Sequence, residues 1–362
     1  MTADITIGAL ADAEGDNPAT LRAARFNRHT FWCGQSGSGK TYALGVVLER
    51  LLVATRLPML ILDPNADFVR LGEVREDADP DAAHALAQRD VRVLRPRGAG
   101  GAEPLHVRYV DMSLRARAAV LQIDPVRDAA EYNALLHLEG EVGRIETNEL
   151  TRILAASKDP ARLALLQRLE NLGVLDWDVW ARHEGAAEDL VDARPRATVL
   201  DLGGFHEPQE SKVAALAVLD HLWATREQRR PMLIVIDEAH NLCRPDPETD
   251  LEAALTERIV QIAAEGRKYG LWLVLSTQRP SKVHVNALSQ CDNLALMRMS
   301  SPRDLAELGD VFGYAPADLL AASPHFLQGQ ALFAGGFVPE PSVVQVAARW
   351  TYEGGSDVAV PL

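Results

Sequence analysis

The chain has 362 residues, 47% hydrophobic and 24% charged, with a formal net charge of −14; this is the composition of a folded globular protein. The acidic balance argues against a protein that coats nucleic acid through an overall positive field, while leaving room for basic loops facing a pore. Cys33, Cys243 and Cys291 are too few and too scattered for a disulfide framework or a zinc site.

The opening residues MTADITIGALADAEGD carry no basic leader, and no stretch approaches the ~18 consecutive apolar residues of a membrane span. A soluble, cytoplasmic protein without membrane contact is expected. Residues 1–28 read as a polar, weakly patterned N-terminal segment, too short for a domain of its own. Short apolar runs then predict strands at Thr30–Cys33, Met59–Leu62 and Val91–Leu94, with a helix over Lys40–Ala54, so that 29–110 forms a first part of an α/β core. Runs rather than alternations are expected where helices cover both faces of a parallel sheet.

From 111 to 192 the text turns rich in Ala, Leu, Arg and Glu at helical spacing, with little strand character, and reads as a helical insertion. The proline of ARPRA returns the chain to the sheet. Residues 193–350 then form the second part of the core, with strands at Thr198–Leu202, Met232–Ile236, Leu271–Ser276 and Asn293–Arg298 and helices at Lys212–Glu227 and Leu251–Glu265. Near its end, GQALFAGGFVPEPSVVQVAARW predicts two or three short antiparallel strands, and 351–362 has tail composition. The fold class is therefore α/β, a mainly parallel sheet with right-handed crossovers.

The first stretch that carries chemistry is GQSGSGKT, Gly34, Gln35, Ser36, Gly37, Ser38, Gly39, Lys40 and Thr41, between a buried strand and a helix. It fits G-x-x-x-x-G-K-[ST]. The glycines let successive backbone N–H groups turn inward around phosphates, Lys40 adds a point charge near the β/γ oxygens, and the Thr41 hydroxyl can ligate Mg²⁺. The helix that follows points its N-terminus at the anion. Cys33, just before, reads as a small core residue.

Such a loop says nucleotide binding, not hydrolysis. PMLIVIDEAH supplies an apolar strand with Asp237 and Glu238 at its carboxyl end, the end where parallel sheets bind ligands. Alone, two adjacent acids could be a solvated turn; paired with the phosphate loop, Asp237 reads as a metal ligand and Glu238 as the group that orients and deprotonates the attacking water. LWLVLSTQRP is another buried strand, ending in Ser276, Thr277 and Gln278. If it neighbours both the loop strand and the acidic strand, Gln278 can bond the γ-phosphate or the water; otherwise it caps the strand. Arg267 and Lys268 close a helix, where cations are favoured by the dipole, or Arg267 reaches a nucleotide on the next subunit. Arg298 is the rival for that role. RPSKVH, 279–284, is a basic loop that either lines a pore or is simply solvated.

Together, GQSGSGKT, LILDPNADF at 60–68, LIVIDEAHNL at 233–242, the long stretch EGRKYGLWLVLSTQRPSKVHVNALSQCDNLALMRMSSPRDL at 265–305 and the terminal GQALFAGGFV resemble the HerA/FtsK branch of RecA-like P-loop ATPases, and HerA-type proteins within it. The resemblance spans most of Phe31 to Trp350. It implies a RecA-like core and a homohexameric ring that hydrolyses ATP with Mg²⁺ between subunits and moves double-stranded DNA beside a nuclease or other effector. It carries over Lys40 and Thr41 as phosphate and metal residues, Asp237 as metal ligand, Glu238 as catalytic base, Gln278 as sensor and Arg267 as the finger acting in trans. Asp63 and Asp67 match acidic positions of the family's second-strand motif, and a loop-capping role is the alternative. HerA proteins usually carry an N-terminal β-barrel, whereas here about 30 residues precede the first predicted strand.

Other classes fit less well. The DEAH tetrapeptide at 237–240 also occurs in two-lobed helicases, but those need a second lobe and a shorter gap between the phosphate loop and the acidic strand; His240 is then a packing or loop residue. A small-molecule kinase leaves Arg267 unexplained. An ATP-dependent assembly switch or scaffold for a defence effector, without DNA translocation, needs the same site and stays open as the alternative function.

Overall fold

The computed structural model describes residues 4–11, 17–141, 147–182 and 185–355. Its twelve strands, β1 (Asp4–Leu10), β2 (Pro18–Arg22), β3 (His29–Cys33), β4 (Met59–Asp63), β5 (Val91–Arg95), β6 (Glu103–Pro104), β7 (Ala197–Asp201), β8 (Met232–Ile236), β9 (Leu271–Thr277), β10 (Cys291–Met297), β11 (Gln330–Gly335) and β12 (Ser342–Val346), form one sheet. The order is β2-β1-β12-β11-β10-β3-β9-β8-β4-β7-β5-β6. From β10 through β6 every neighbouring pair is parallel, and from β10 to β2 every pair is antiparallel.

Successive strand residues point to opposite faces, and both faces are buried. Phe31, Leu60, Ile234 and Leu273 face one core while their neighbours Trp32, Ile61, Val235 and Val274 face the other. That two-sided burial explains why the strands read as continuous apolar runs. On the second face lies α1 (Lys40–Ala54), buried on nearly all sides, together with side chains of β1, β2 and β12. On the first lie the helices Pro208–Ala224 and Asp250–Glu265 and the helical stretch between β6 and β7. Among the described residues that stretch contains helices at Leu114–Val120, Ala129–Glu141, Thr147–Ala155, Pro160–Asn171 and Ala187–Ala193 and contributes one isolated bridge, Val107 to Trp180. No helix among the described residues is long and apolar enough to cross a membrane.

Three features depart from the reading of the sequence. The segment before β3 is not featureless: β1 and β2 form an antiparallel pair that extends the sheet edge, with Ile5, Ile7, Ala19 and Leu21 buried. The helix expected from Lys212 begins four residues earlier at Pro208 and ends at Ala224, because proline suits the first helical position, where its missing N–H costs nothing. The C-terminal antiparallel part has two strands, β11 and β12, within the two or three expected, and the third departure follows them. Thr351 to Gly355, expected as tail, pack on the chain: Thr351 bridges to Val74 and the Gly354 amide donates to Asp67 O at 3.0 Å. Residues 356–362 lie outside the described residues.

A buried ion pair ties this end of the chain to α1. Glu49 and Arg349 are both fully buried; Glu49 accepts from Arg349 Nε (3.2 Å), Trp350 N (2.8 Å), Thr351 N (2.9 Å) and the Thr351 hydroxyl. Gly45 makes room for it, since a Cβ there would lie 2.6 Å from Arg349 Cζ. Glu49→Ala would strand the guanidinium and two backbone amides without their acceptor, and should cost about 3–5 kcal/mol in denaturant unfolding; a loss under ~1 kcal/mol would show that the pair does not hold this end.

Candidate functional site

The phosphate loop leaves the C-terminal end of β3 pinned between two neighbours: the Gly34 amide donates to Thr277 O at 3.3 Å and the Gln35 amide to Arg298 O at 2.9 Å. Gly37 (φ +72°) and Gly39 (φ +90°) are left-handed, a conformation glycine adopts without a Cβ penalty. Gly39 caps α1, so the first amides of the helix have no carbonyl partners and face the loop's interior. At Gly34 a Cβ would lie 2.7 Å from Ser38 Oγ. The loop opens on a cleft of ≈ 840 Å³ that Lys40, Thr41, Asp67, Glu238 and Gln278 line.

Asp237 and Glu238 arrive on the end of β8, with β9 between β8 and β3, the neighbourhood that the Gln278 reading required. Lys40 Nζ donates to Asp237 Oδ1 at 2.8 Å and to Ser276 Oγ at 2.9 Å, and lies 3.2 Å from Glu238 Oε1. The Ser276 hydroxyl donates to the same Asp237 Oδ1 at 2.6 Å. Burial alone would lower the Lys40 pKa; the two carboxylates outweigh it and hold the ammonium above its ordinary value. For Glu238 burial pushes upward, and the adjoining His240 ring and Lys40 charge outweigh it, keeping the carboxyl below its usual range. Glu238 sits at φ +44°, a strained backbone that costs on the order of 1–3 kcal/mol and is found where function fixes a side chain.

His240, which the sequence offered as a packing or loop residue, has its Nδ1 3.0 Å from Thr277 Oγ1 and 3.1 Å from Glu238 Oε2. Asp63 does cap its loop, accepting from the amides of Asn65 (3.3 Å), Asp67 (3.0 Å) and Phe68 (2.7 Å). Carboxylate oxygens of Asp63, Asp67 and Asp237 all lie within 4.8 Å of one another. Burial, with the Asp237 charge adding to it, pushes Asp63 up to about 7 and Asp67 up to about 6. Ser276, not singled out from the sequence, joins Lys40 to Asp237; the only signal for it was a polar residue at the end of a buried strand.

The two arginines separate. Arg298 Nη2 donates to Gly37 O at 3.3 Å, so Arg298 braces the phosphate loop of its own chain. Arg267 precedes β9 and pairs with Asp292 at the opposite end of the strands; the length of β9, about 20 Å at ~3.3 Å per residue, separates it from the loop. Cys33 is fully buried and burial pushes its thiol up, as a core residue requires.

The residues fit a triphosphate with a divalent cation. Asp237 Oδ2 and Ser38 Oγ are buried without a hydrogen-bond partner, and the acids crowded against one another would be relieved by a cation. Thr41 and Asp237 would hold it, and the loop amides with Lys40 would hold the phosphates. A family model described as "Helicase HerA, central domain" matches residues 5–221, more than half of the chain. The chain belongs to the HerA helicase family.

Among its relatives, the DNA double-strand break repair helicase HerA of Pyrococcus furiosus is 29% identical over 88% of this chain and 65% of its own. The protein of that name from Sulfurisphaera tokodaii is 32% identical over 32% of this chain and 23% of its own. The chain thus spans between about a quarter and two-thirds of the length of these HerA relatives. Among solved structures, VirB4 of Thermoanaerobacter pseudethanolicus superposes with a TM-score of 0.64 at 16% identity, covering 96% of this chain and 97% of that one. The bacterial conjugative coupling protein TrwBdeltaN70 gives 0.58 at 14%, covering 97% of each. At such identities the likeness is one of fold, that of the P-loop NTPases.

Proposed function

We propose that this HerA-family chain hydrolyses ATP with Mg²⁺ at the cleft between the phosphate loop and β8, in a ring of copies, probing and moving double-stranded DNA together with a nuclease or other effector. The observation that carries the hydrolysis reading is the convergence of Lys40 on Asp237 and Glu238, at 2.8 and 3.2 Å. A triphosphate entering the loop offers Lys40 a stronger partner. As Lys40 turns to the phosphates, Asp237 is freed and would hold a divalent cation, and Glu238 is freed to take a proton from the attacking water. Such a cation would supply neutralisation of the phosphate charge. Gln278 lines the same cleft and in this reading orients that water or the γ-phosphate.

Arg267 cannot serve its own site across the length of β9, so its role in this reading is to reach the nucleotide of a neighbouring copy, which is why a ring is proposed. Arg267→Ala should leave nucleotide binding intact and lower turnover by about 10³-fold, the scale of an arginine finger. Mixing it with Glu238→Gln protein should restore part of the activity, because interfaces then arise that pair an intact Glu238 with a neighbour's intact Arg267. Wild-type turnover in purified Arg267→Ala protein would reject the finger. Native mass measurement with ATP, with and without duplex DNA, tests the ring.

A further inference from the structure

A second cavity of ≈ 470 Å³ has His240, two residues after Glu238, in its wall. Four cations, Lys212, Arg244, Arg279 and Lys282, line it against two carboxylates, Asp246 and Glu252, an excess of positive charge in a chain of net charge −14. Lys212 and Arg244 are paired with Glu252. Arg279 and Lys282 are exposed and have no ion pair among the described residues. Two free cations three residues apart, at the rim of a cleft that also holds paired ones, suit a polyanionic backbone better than a single small anion.

What makes this cleft more than a basic patch is its connection to Glu238. Thr277 Oγ1 accepts from the Arg279 amide at 2.9 Å and contacts His240 Nδ1 at 3.0 Å. The same Nδ1 is 3.1 Å from Glu238 Oε2, and Oε2 is buried with no hydrogen bond made. One ring nitrogen therefore stands between two oxygens, the threonine hydroxyl at 3.0 Å and the carboxylate at 3.1 Å. The Arg279 amide and the His240 ring thus share one threonine hydroxyl, so the position of the Arg279 backbone bears on which oxygen His240 favours. The chain of contacts is four residues long and runs from one cavity to the other, and coupling between the sites would require it to adopt a second arrangement.

We propose that His240 is a positioning residue that links occupancy of the basic cleft by a nucleic-acid backbone to the placement of Glu238. With the cleft empty, His240 bonds Thr277 and Glu238 stays against Lys40. With a phosphodiester backbone on Arg279 and Lys282, the loop shifts, His240 turns to Oε2, and Glu238 is held where it can take a proton from water. This rests on the hydrolysis reading above and specifies its regulation.

The test compares steady-state ATP turnover with and without a blunt duplex of 40 base pairs, for the full chain and its variants. Wild type should be stimulated by about fivefold or more, the low end of usual couplings between sites. Arg279→Ala/Lys282→Ala and His240→Ala should each bring that ratio close to one. In His240→Ala the change should fall on kcat with the KM for ATP kept, and His240→Asn, whose amide nitrogen can replace Nδ1, should recover the stimulation; a merely structural histidine would show neither split nor rescue. A wild-type ratio of one, or a His240→Ala ratio equal to wild type while Glu238→Gln is inactive, overturns the coupling and leaves hydrolysis standing. Absence of any turnover in wild type, with or without duplex, overturns hydrolysis and this inference with it. Stimulation by single-stranded DNA or RNA in place of duplex, lost in the same variants, keeps the coupling and changes only the strand class.

Discussion

Replacing Glu238 by glutamine is expected to cut ATP turnover by at least ~10²-fold while leaving the affinity for ATP within about threefold of wild type. The amide keeps the shape of the side chain and can still sit beside Lys40 and His240, but it cannot accept a proton. Binding depends on the loop amides and Lys40, which the substitution does not touch. Single-turnover hydrolysis and equilibrium binding of a fluorescent ATP analogue separate the two effects. A variant that hydrolyses at the wild-type rate would remove Glu238 from the role of base, and Asp67, which lines the same cleft, would be the carboxyl to examine next.

Lys40→Ala is expected to fail at an earlier step. Loss of the ammonium should weaken ATP binding beyond ~100-fold, about 2.7 kcal/mol, and it should also weaken the nucleotide-free fold, because Asp237 and Glu238 would be left buried without their cation. The sign with pH follows from the same geometry. In the wild type Glu238 has a depressed pKa, so its contribution to stability is present above the unfolded value and lost as pH falls through the folded one. Without Lys40 the folded pKa of Glu238 moves up toward its unfolded value, with His240 still holding it down, so part of that contribution is lost. The stability gap between wild type and Lys40→Ala should therefore shrink as pH falls through the carboxylate range in urea unfolding. A gap that does not change as the carboxylates protonate would mean that Lys40 does not neutralise the acids.

Much of this was legible in the residues. The central strands stood out because both their faces are buried, so Met232–Ile236 could be bounded correctly from its apolar run and the acid that follows. Helix α1 had its start fixed by the loop glycines. The edge pair β1 and β2 did not stand out. Its strands are short, partly exposed and interrupted by Gly8, where a Cβ would lie 2.0 Å from Gln345 O, so they look like loop until β12 is beside them.

The site shows the same division. Its nucleotide half follows from local spacing, and Asp237 and Glu238 from their place after a strand. Contacts that join distant parts of the chain leave no local trace: Ser276 between Lys40 and Asp237, Arg298 on Gly37, and the Glu49–Arg349 pair, whose members are 300 positions apart. His240 is the instructive case. Its tetrapeptide suggested a different helicase class, while its actual partners, Thr277 and Glu238, are set by the register of β9 beside β8.

The central claim is that the loop around Lys40 and the acids at the end of β8 serve one metal-bound triphosphate. A structure of the Glu238→Gln protein with Mg-ATP tests it most directly. The phosphates are expected on the amides of Ser36 to Thr41, the cation between Thr41 and Asp237, and Lys40 Nζ moved from Asp237 Oδ1 onto a phosphate oxygen. A nucleotide bound elsewhere, or one held in the loop while Lys40 remains on Asp237, would contradict it.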